Sequence, residues 1–512
     1  MVSLFILLLR PVPPSNFRSL GNPFFAVQFL QMLQNDRFLY FSRDTFEWTW
    51  DTETIQSETS ITDNVVDLIA NSLRMLPLKT QNFLMVASCF GTRFDVSTVW
   101  TVFLCLKEDY SSEDNRSGVT ENVSDILNPA IKEGLIIQCD DTLYRFSHDK
   151  ICEGAYSLFA NDNERRKVHW SLGTAMMKIS TRKRMPSSTP IAVRQLNRGI
   201  GAIENPETRL MLATLNLTAA KLLIEKSAFL YSSNFLITGI ALLSSGQEMW
   251  SRHYDLALDL HSTLAEMQFN LGDFTRCFET VDQVLRFARS VKDTQRVTVA
   301  KLDALSSKGD SLEGIKVGLR ALKQLKIRIS KHPSPLAVAL EFLKVRSMFN
   351  KFSFEALLDQ EMMADNDNLM AAKILNTLND LAFFTQNHNL HGMICLQMTK
   401  LTLLHGSTEY SAFAFVLYSF ILGKTGDLAA AHRTGCMALD LAKGHKSKKI
   451  EARVSMVMQT FINHIRHPIV QSLDSCLKSY NVGMQVGDIT YAGFNALNCT
   501  CQSRPTFAIK PF

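Results

Sequence analysis

The chain has 512 residues, with 54 Lys and Arg against 49 Asp and Glu, a formal net charge of +5, and its basic residues are dispersed along its length. Hydrophobic residues make up 46% and charged residues 20%, which excludes an intrinsically disordered chain, while the length exceeds what a single hydrophobic core fills. So small and scattered a charge gives no footprint for nucleic acid, which is not expected as a partner; 23 Gly and 14 Pro favour helices over a turn-rich β architecture.

Met1 to Leu9 is a short apolar run ending at Arg10-Pro11, without a basic start or a small-residue cleavage site, and is left as an unassigned leader. It is too short to span a bilayer, and so is the longest later apolar run, Ala412 to Leu422. A soluble, cytoplasmic protein without a membrane partner is expected. Ten Cys at irregular spacings lack a C-x-x-C, so neither a zinc site nor a disulfide framework is indicated. The N-x-[ST] sequons at Asn115, Asn122, Asn216 and Asn498 are read as unused.

Behind Pro23, residues Phe24, Phe25, Val27, Phe29, Leu30 and Leu33 share one helical face, predicting an amphipathic helix. Phe38 to Phe41 and Phe46 to Asp51, the latter with alternating Trp48 and Trp50, predict a small β ribbon. The sequence Thr62-Asp63-Asn64 caps a helix that Pro77 stops. Three further helices are predicted from about Leu78 to Cys89, Val96 to Leu106 and Val123 to Glu133, with Ser111 to Gly118 as a loop. Leu135-Ile136-Ile137 and Leu143-Tyr144-Arg145-Phe146, separated by Asp140-Asp141, predict a β-hairpin. Helices followed by a hairpin make a winged-helix pattern. A DNA-reading winged helix needs basic or amide side chains on its recognition helix, yet residues 121–133 offer Lys132 against Glu121, Asp125 and Glu133. Packing or relay is therefore the better reading.

Arg182-Lys183-Arg184 with Pro186 to Pro190, and Lys443 to Lys449, read as solvated linkers. From about Arg209 onward the pattern is helix after helix. Trp250, Tyr254, Leu258, Ala265 and Phe269 predict one helix, Gly272-Asp273 breaks it, and Phe274, Cys277, Val281, Leu285 and Ala288 resume the period. Gly309-Asp310, Asn387 to Asn389 and Gly426-Asp427 recur as similar breaks. These breaks predict stacked helical hairpins with a concave surface open to a partner. The many Met and Phe of this half are read as core rather than as a groove.

Candidate chemistry is sparse. Gly423-Lys424-Thr425 lacks the first glycine of a phosphate-binding loop, and Gly199-Ile200-Gly201 has Glu204 where a third glycine belongs. The pairs His388 with His391 and His464 with His467 have helical metal-ligand spacing but no carboxylate or thiol cluster beside them. Cys499-Thr500-Cys501 is a weak signal and no G-x-S-x-G elbow occurs. No catalytic residue, metal or cofactor is expected.

The string Gly21-Asn22-Pro23-Phe24-Phe25 with Gln28-Phe29-Leu30 resembles the end of the predicted-ATPase module of large hybrid serine/threonine kinase and histidine kinase sensors. Trp48-Thr49-Trp50-Asp51, Asp63-Asn64-Val65-Val66, Leu76-Pro77, Phe90-Gly91 with Phe94-Asp95, and Arg145-Phe146-Ser147-His148-Asp149-Lys150 with Ala155-Tyr156-Ser157 resemble the same family in order. So do Leu196-Asn197-Arg198-Gly199 and Leu215-Asn216-Leu217. The resemblance covers about Gly21 to Lys443 and implies an AAA or STAND type, origin-recognition-like ATPase followed by a winged-helix-like region and tetratricopeptide-like helices, often with kinase domains. The ATPase core, a kinase domain and a phosphorelay histidine are missing here, as in a shortened or degenerate relative; His148 is read as structural.

The expectation is a mainly α chain: a small winged-helix-like region, then an α-solenoid of tetratricopeptide-like hairpins. Its parts are a leader at 1–20, a residual ATPase end at 21–62, a winged-helix-like domain at 63–165, a linker and helix at 166–208, repeats at 209–502 and a tail at 503–512. Such a chain is a non-catalytic regulatory segment of a signal-transduction ATPase, with protein partners on its helical array and an unspecified ligand. The alternatives are a stand-alone helical scaffold and a winged-helix DNA-binding protein.

Overall fold

The computed structural model describes residues 33–34, 37–51, 73–110, 122–183, 188–202, 205–243, 246–444 and 447–503. The helix behind Pro23, the string Gly21 to Phe25, the cap at Asp63-Asn64 and the loop at 111–118 lie outside them. The described residues are mostly helical, in two compact units, Met1–Leu243 and Ser244–Phe512.

In the first unit the predicted ribbon is present: β1 (Leu39–Ser42) pairs antiparallel with β2 (Glu47–Trp50), Leu39 opposite Trp50. Next come α1 (Leu78–Ser88), β3 (Arg93–Asp95), α2 (Val96–Tyr110), α3 (Val123–Lys132), β4 (Ile136–Gln138), β5 (Leu143–Phe146) and α4 (Asp149–Ser157). The hairpin turns at Asp140, whose carboxylate accepts the amides of Thr142 and Leu143 at 2.9 and 2.7 Å. It gains a strand that periodicity does not signal, since β3 pairs with β5 to give the order β3-β5-β4. Three residues are too few for an alternation; what holds β3 is Phe94, buried 5.5 Å from Phe146 and stacked on Tyr144. Asp95 then starts α2 by accepting the Thr98 amide at 2.8 Å, and that helix runs beyond the expected Leu106. Phe83, Leu84, Val99, Leu127 and Ile151 fill the core between these elements. Four more helices follow among the described residues of the unit: α5 (Asp162–Lys183), α6 (Thr189–Gly199), α7 (Pro206–Glu225) and α8 (Phe229–Leu242).

Among the described residues the regular structure of the second unit is helical, apart from one isolated bridge between Met362 and Ser407. Its helices are α9 (Gln247–Arg252), α10 (Tyr254–Asn270), α11 (Phe274–Phe287), α12 (Val291–Lys308), α13 (Ser311–Gln324), α14 (Pro335–Phe349), α15 (Phe354–Leu358), α16 (Asn366–Phe384), α17 (His388–His405), α18 (Ser411–Lys424), α19 (Leu428–Gly444), α20 (Lys448–Val457), α21 (Leu473–Gln485) and α22 (Ile489–Ser503). The single helix expected across Trp250 and Tyr254 is broken at His253, which sits at φ −129 and ψ 44, outside the helical region. Trp250 stacks on Phe287 with centroids 5.2 Å apart, and Tyr254 donates from its hydroxyl to Asp293 at 2.5 Å. The run Ala412 to Leu422 forms most of α18, buried on nearly every side. Among the described residues no helix is long and apolar enough to cross a membrane.

The expected Gly-Asp breaks are one repeated device. At Gly272 the chain turns left-handed (φ 75), the Gly272 amide bonds to Phe269 O, and the Asp273 amide reaches back to Gln268 O. This pair of hydrogen bonds closes the end of α10, while the Asp273 carboxylate accepts the Arg276 amide and opens α11. Asp310 and Asp427 repeat the arrangement after Gly309 and Gly426. Asn387 does the same after Gln386, a non-glycine residue at φ 55. Consecutive helices joined so tightly pack as hairpins, and each covers its neighbour: α13 lies on α16, α14 on α17, α18 on α20. Gly314 and Gly318 permit the first of these contacts, since an added Cβ would meet Leu381 and Leu378 at 2.7 and 2.6 Å.

Two substitutions at this device have opposite signs. Gly309→Ala should lower the urea-unfolding free energy by about 1 kcal/mol, because alanine resists positive φ. Gln386→Gly should raise it by a similar amount for the same reason, about 1 kcal/mol.

Candidate functional site

Four helices of the second unit, α16, α17, α18 and α22, together with the end of α20, enclose a cavity of about 420 Å³. Its floor is an ion cluster built from residues far apart in sequence. Arg453 on α20 donates from Nη1 to Asp380 on α16 at 3.2 Å and from Nε to Asp488, just before α22, at 2.6 Å. The Tyr491 hydroxyl donates to the other oxygen of Asp380 at 2.7 Å, and the Arg453 guanidinium lies 4.2 Å from the centre of the Tyr491 ring. The side chains of Arg453 and Asp488 are 8% and 5% exposed, so their charges are withdrawn from water.

Burial works against the charge of Arg453, yet Asp380, Tyr491 and Asp488 hold its guanidinium more firmly protonated than usual. Burial, followed by Asp380, pushes the Tyr491 hydroxyl well above its ordinary range, so it remains a neutral donor. Burial also pushes Asp380 up against the pull of Arg453. Asp488 departs from the other Gly-Asp turns: its carboxylate turns inward to Arg453, where Asp273 and Asp310 cap their own helices.

Aromatic rings make the walls. Phe494 stacks against Phe384 and meets Phe383 edge-on, each at 6.1 Å, and Tyr491 meets Phe413 edge-on at 5.8 Å. Across the cavity Phe420 lies 4.8 Å from Phe461. Phe461 owes its position to a π-helical turn, Met458–Ile462, at the end of α20. Such turns widen a helix by one residue and redirect the chain beyond them. Gly435 makes room for that turn, since a Cβ there would meet Met458 Sδ at 2.6 Å. Phe383, Phe384 and Phe461 are 49%, 50% and 37% exposed, which corrects their expected assignment to the core. At the rim Lys424, from the rejected Gly-Lys-Thr string, lies 4.7 Å over the Phe420 ring.

His388 and His391 both line the cavity. Burial, with Lys424 and His388 adding to it, depresses His391 to about 4. Its Nε2 is 3.8 Å from Cys395 Sγ. The other pair is split, His464 lying in a short 3-10 turn and His467 facing His432 at 5.8 Å. Among the described residues no group of three or more His, Cys, Asp or Glu could hold a metal ion.

The residues singled out by family resemblance lie in the first unit. Trp50 ends β2, and Asp51 is exposed beyond it. Phe146 and Ala155 are buried in the core. His148 Nδ1 accepts the Lys150 amide at 3.1 Å and so caps α4, and it lies 2.9 Å from Asp149 Oδ1. The Tyr156 hydroxyl is 2.8 Å from His169 Nε2. The lining of the aromatic cavity comes from other residues. Its own residues carry no local signal beyond paired phenylalanines near helix ends, the His388 and His391 pair and Lys424 of the Gly-Lys-Thr string.

No family model matches the chain. Hybrid signal transduction histidine kinase G of Dictyostelium discoideum is 20% identical over 547 residues, covering 93% of this chain and 16% of that protein. The chain therefore spans about a sixth of that relative's length. A solved Pyrococcus horikoshii protein, described as a signal transduction ATPase with numerous domains with a tetratricopeptide repeat sensor, superposes with a TM-score of 0.41 and 12% identity. That match covers 87% of this chain and 56% of the other and is weaker than a shared fold requires.

Removing Arg453 strands two buried carboxylates. Arg453→Met should cost about 3 to 5 kcal/mol of stability in urea unfolding. His391 supplies a pH signature. It stays neutral in the fold down to about 4, against 6.5 for an ordinary histidine. Its stabilising contribution is therefore complete above pH 6.5 and lost as pH falls toward 4, by about 3 kcal/mol at most. His391→Gln should flatten that slope in unfolding curves recorded across the window.

Proposed function

We propose that the chain is a non-catalytic regulatory and protein-interaction segment of a signal-transduction protein. It relays the state of an ATPase of the AAA or STAND kind to output domains. The observation that carries this reading is similarity to a hybrid signal transduction histidine kinase along 93% of the chain, which occupies 16% of that protein. In this reading the helices and strands from α1 to β5 are a winged-helix-like element, supported by their order and by the antiparallel sheet β3-β5-β4. The second unit is a tetratricopeptide-like array, supported by its tightly turned hairpins.

Within that array the aromatic cavity receives an apolar anchor, a small ligand or a partner's side chain. Aromatic walls give area at low entropic cost, and the fixed charges below keep those walls in register. A relay needs a packed element that both ligand and output can bias; the cluster linking α16, α20 and α22 supplies one. DNA binding is the weaker reading, because α3 carries Asp125 in its first turn, the single base Lys132 in its last, and Glu133 as its C-cap.

The test is nucleotide turnover by the purified 512-residue chain. No saturable ATP hydrolysis is expected above a no-protein control. Saturable turnover that survives further purification would refute the non-catalytic assignment.

A further inference from the structure

The first unit contains a second cavity, of about 660 Å³, with a different chemistry. Arg165, Arg166, Arg194 and Arg198 all line it. We propose that this arginine-lined cavity between α5 and α6 is a binding site for a small polyvalent anion bearing two or more phosphate groups, a site distinct from the aromatic cavity and from any partner surface of the array.

The four guanidinium groups are brought together by the packing of two helices. Arg194 and Arg198 are one turn apart on α6 and share a face; Arg165 and Arg166 are adjacent on α5. The two helices touch closely because of Gly199, where a Cβ would meet the Trp170 amide nitrogen at 2.6 Å and Arg166 O at 2.8 Å. Gly201 then leaves the notch in which the Arg166 guanidinium lies, its Nη1 2.8 Å from where a Cβ would stand. The Arg198-Gly199-Ile200-Gly201 string, incomplete as a nucleotide fingerprint, thus has a structural use in placing arginines. Arg165 lies 4.9 Å over the Tyr156 ring. Beneath it His169 bridges the Tyr156 hydroxyl and Gln195 at 2.8 and 2.7 Å, and Gln195 donates to Cys89 O at 2.8 Å, so the floor is rigid and polar.

The charge is left uncompensated. Two carboxylates line the cavity, Asp162 and Glu153. Asp162 pairs with Arg165 at 3.0 Å and Glu153 with Lys150 at 2.6 Å, so both are already engaged. Among the described residues no carboxylate pairs with Arg166, Arg194 or Arg198. Arg165 Nε is buried without a hydrogen-bond partner. Burial, and then Arg198, hold Arg194 below the usual arginine range. Arg296 in the second unit is the opposite case, meeting Asp259 at 2.6 Å and Glu266 at 2.9 Å. Planar guanidinium forks match phosphate oxygens two at a time. A cavity this size with three unpaired arginines fits an anion larger and more highly charged than one phosphate.

Isothermal titration of the full chain with pyrophosphate, at ionic strength matched with chloride, tests the site. Saturable 1:1 binding is expected, with inorganic phosphate weaker by roughly tenfold or more. Arg194→Gln and Arg198→Gln should each weaken pyrophosphate by about tenfold or more while raising the melting temperature of the unliganded chain, since each relieves like-charge repulsion. A merely structural arginine would lower it. Gly201→Ala, which displaces only the flexible end of Arg166, should weaken binding without loss of helical circular dichroism, and Arg276→Gln in the second unit should change nothing. The site is overturned if pyrophosphate gives no saturable heat, or if its binding is unchanged by Arg194→Gln, Arg198→Gln and Gly201→Ala. Equal affinity for inorganic phosphate would overturn the polyvalent class.

Discussion

One guanidinium organises the end of the helical array. Arg453 is the only cation in contact with the paired carboxylates Asp380 and Asp488 among the described residues, and these belong to α16 and to the turn before α22. Burying three charges is favourable only when each has partners in good geometry, so the three helix segments have one arrangement that satisfies the cluster. The aromatic walls inherit that arrangement. Phe383 and Phe384 come one turn after Asp380, Tyr491 and Phe494 come after Asp488, and Phe461 comes after Arg453. A cavity lined by such large, half-exposed rings would otherwise collapse or splay, since stacking geometry is permissive and apolar contact is non-directional.

Two sets of arginines are used in opposite ways. Arg453 and Arg296 are paired until their charge is spent on holding helices together. Arg194 and Arg198 instead face a cavity and repel one another. Structural and ligand-seeking cations differ here not in residue type or in burial alone but in whether the fold has already supplied a carboxylate.

Legibility in the sequence depends on how local each feature is. The breaks at Gly272-Asp273, Gly309-Asp310 and Gly426-Asp427 are readable because a left-handed residue and a capping carboxylate sit side by side. Gly487-Asp488 carries the same letters yet spends its carboxylate elsewhere, so even this strong signal tells only where the chain turns. Strand β3 escapes notice because Phe94 is held by Phe146 and Tyr144, 52 and 50 residues away by subtraction of their numbers. The ion cluster is harder still, as Asp380 and Tyr491 are separated by 111 residues. Nothing near either residue marks it as half of a pair. Phenylalanine periodicity fails at 383, 384 and 461 for a related reason: the same spacing serves a filled core and a hollow one, and only the far side of the helix decides which.

The π-helical turn at Met458–Ile462 means that part of the cavity wall is specified by the number of residues in the chain rather than by their kind. One residue fewer would restore an ordinary α-helical turn and remove the bulge in which Phe461 lies, so that Phe461 would no longer be held against Phe420. A lineage could therefore open or close this cavity through a single-codon deletion or insertion, leaving every side chain around it unchanged.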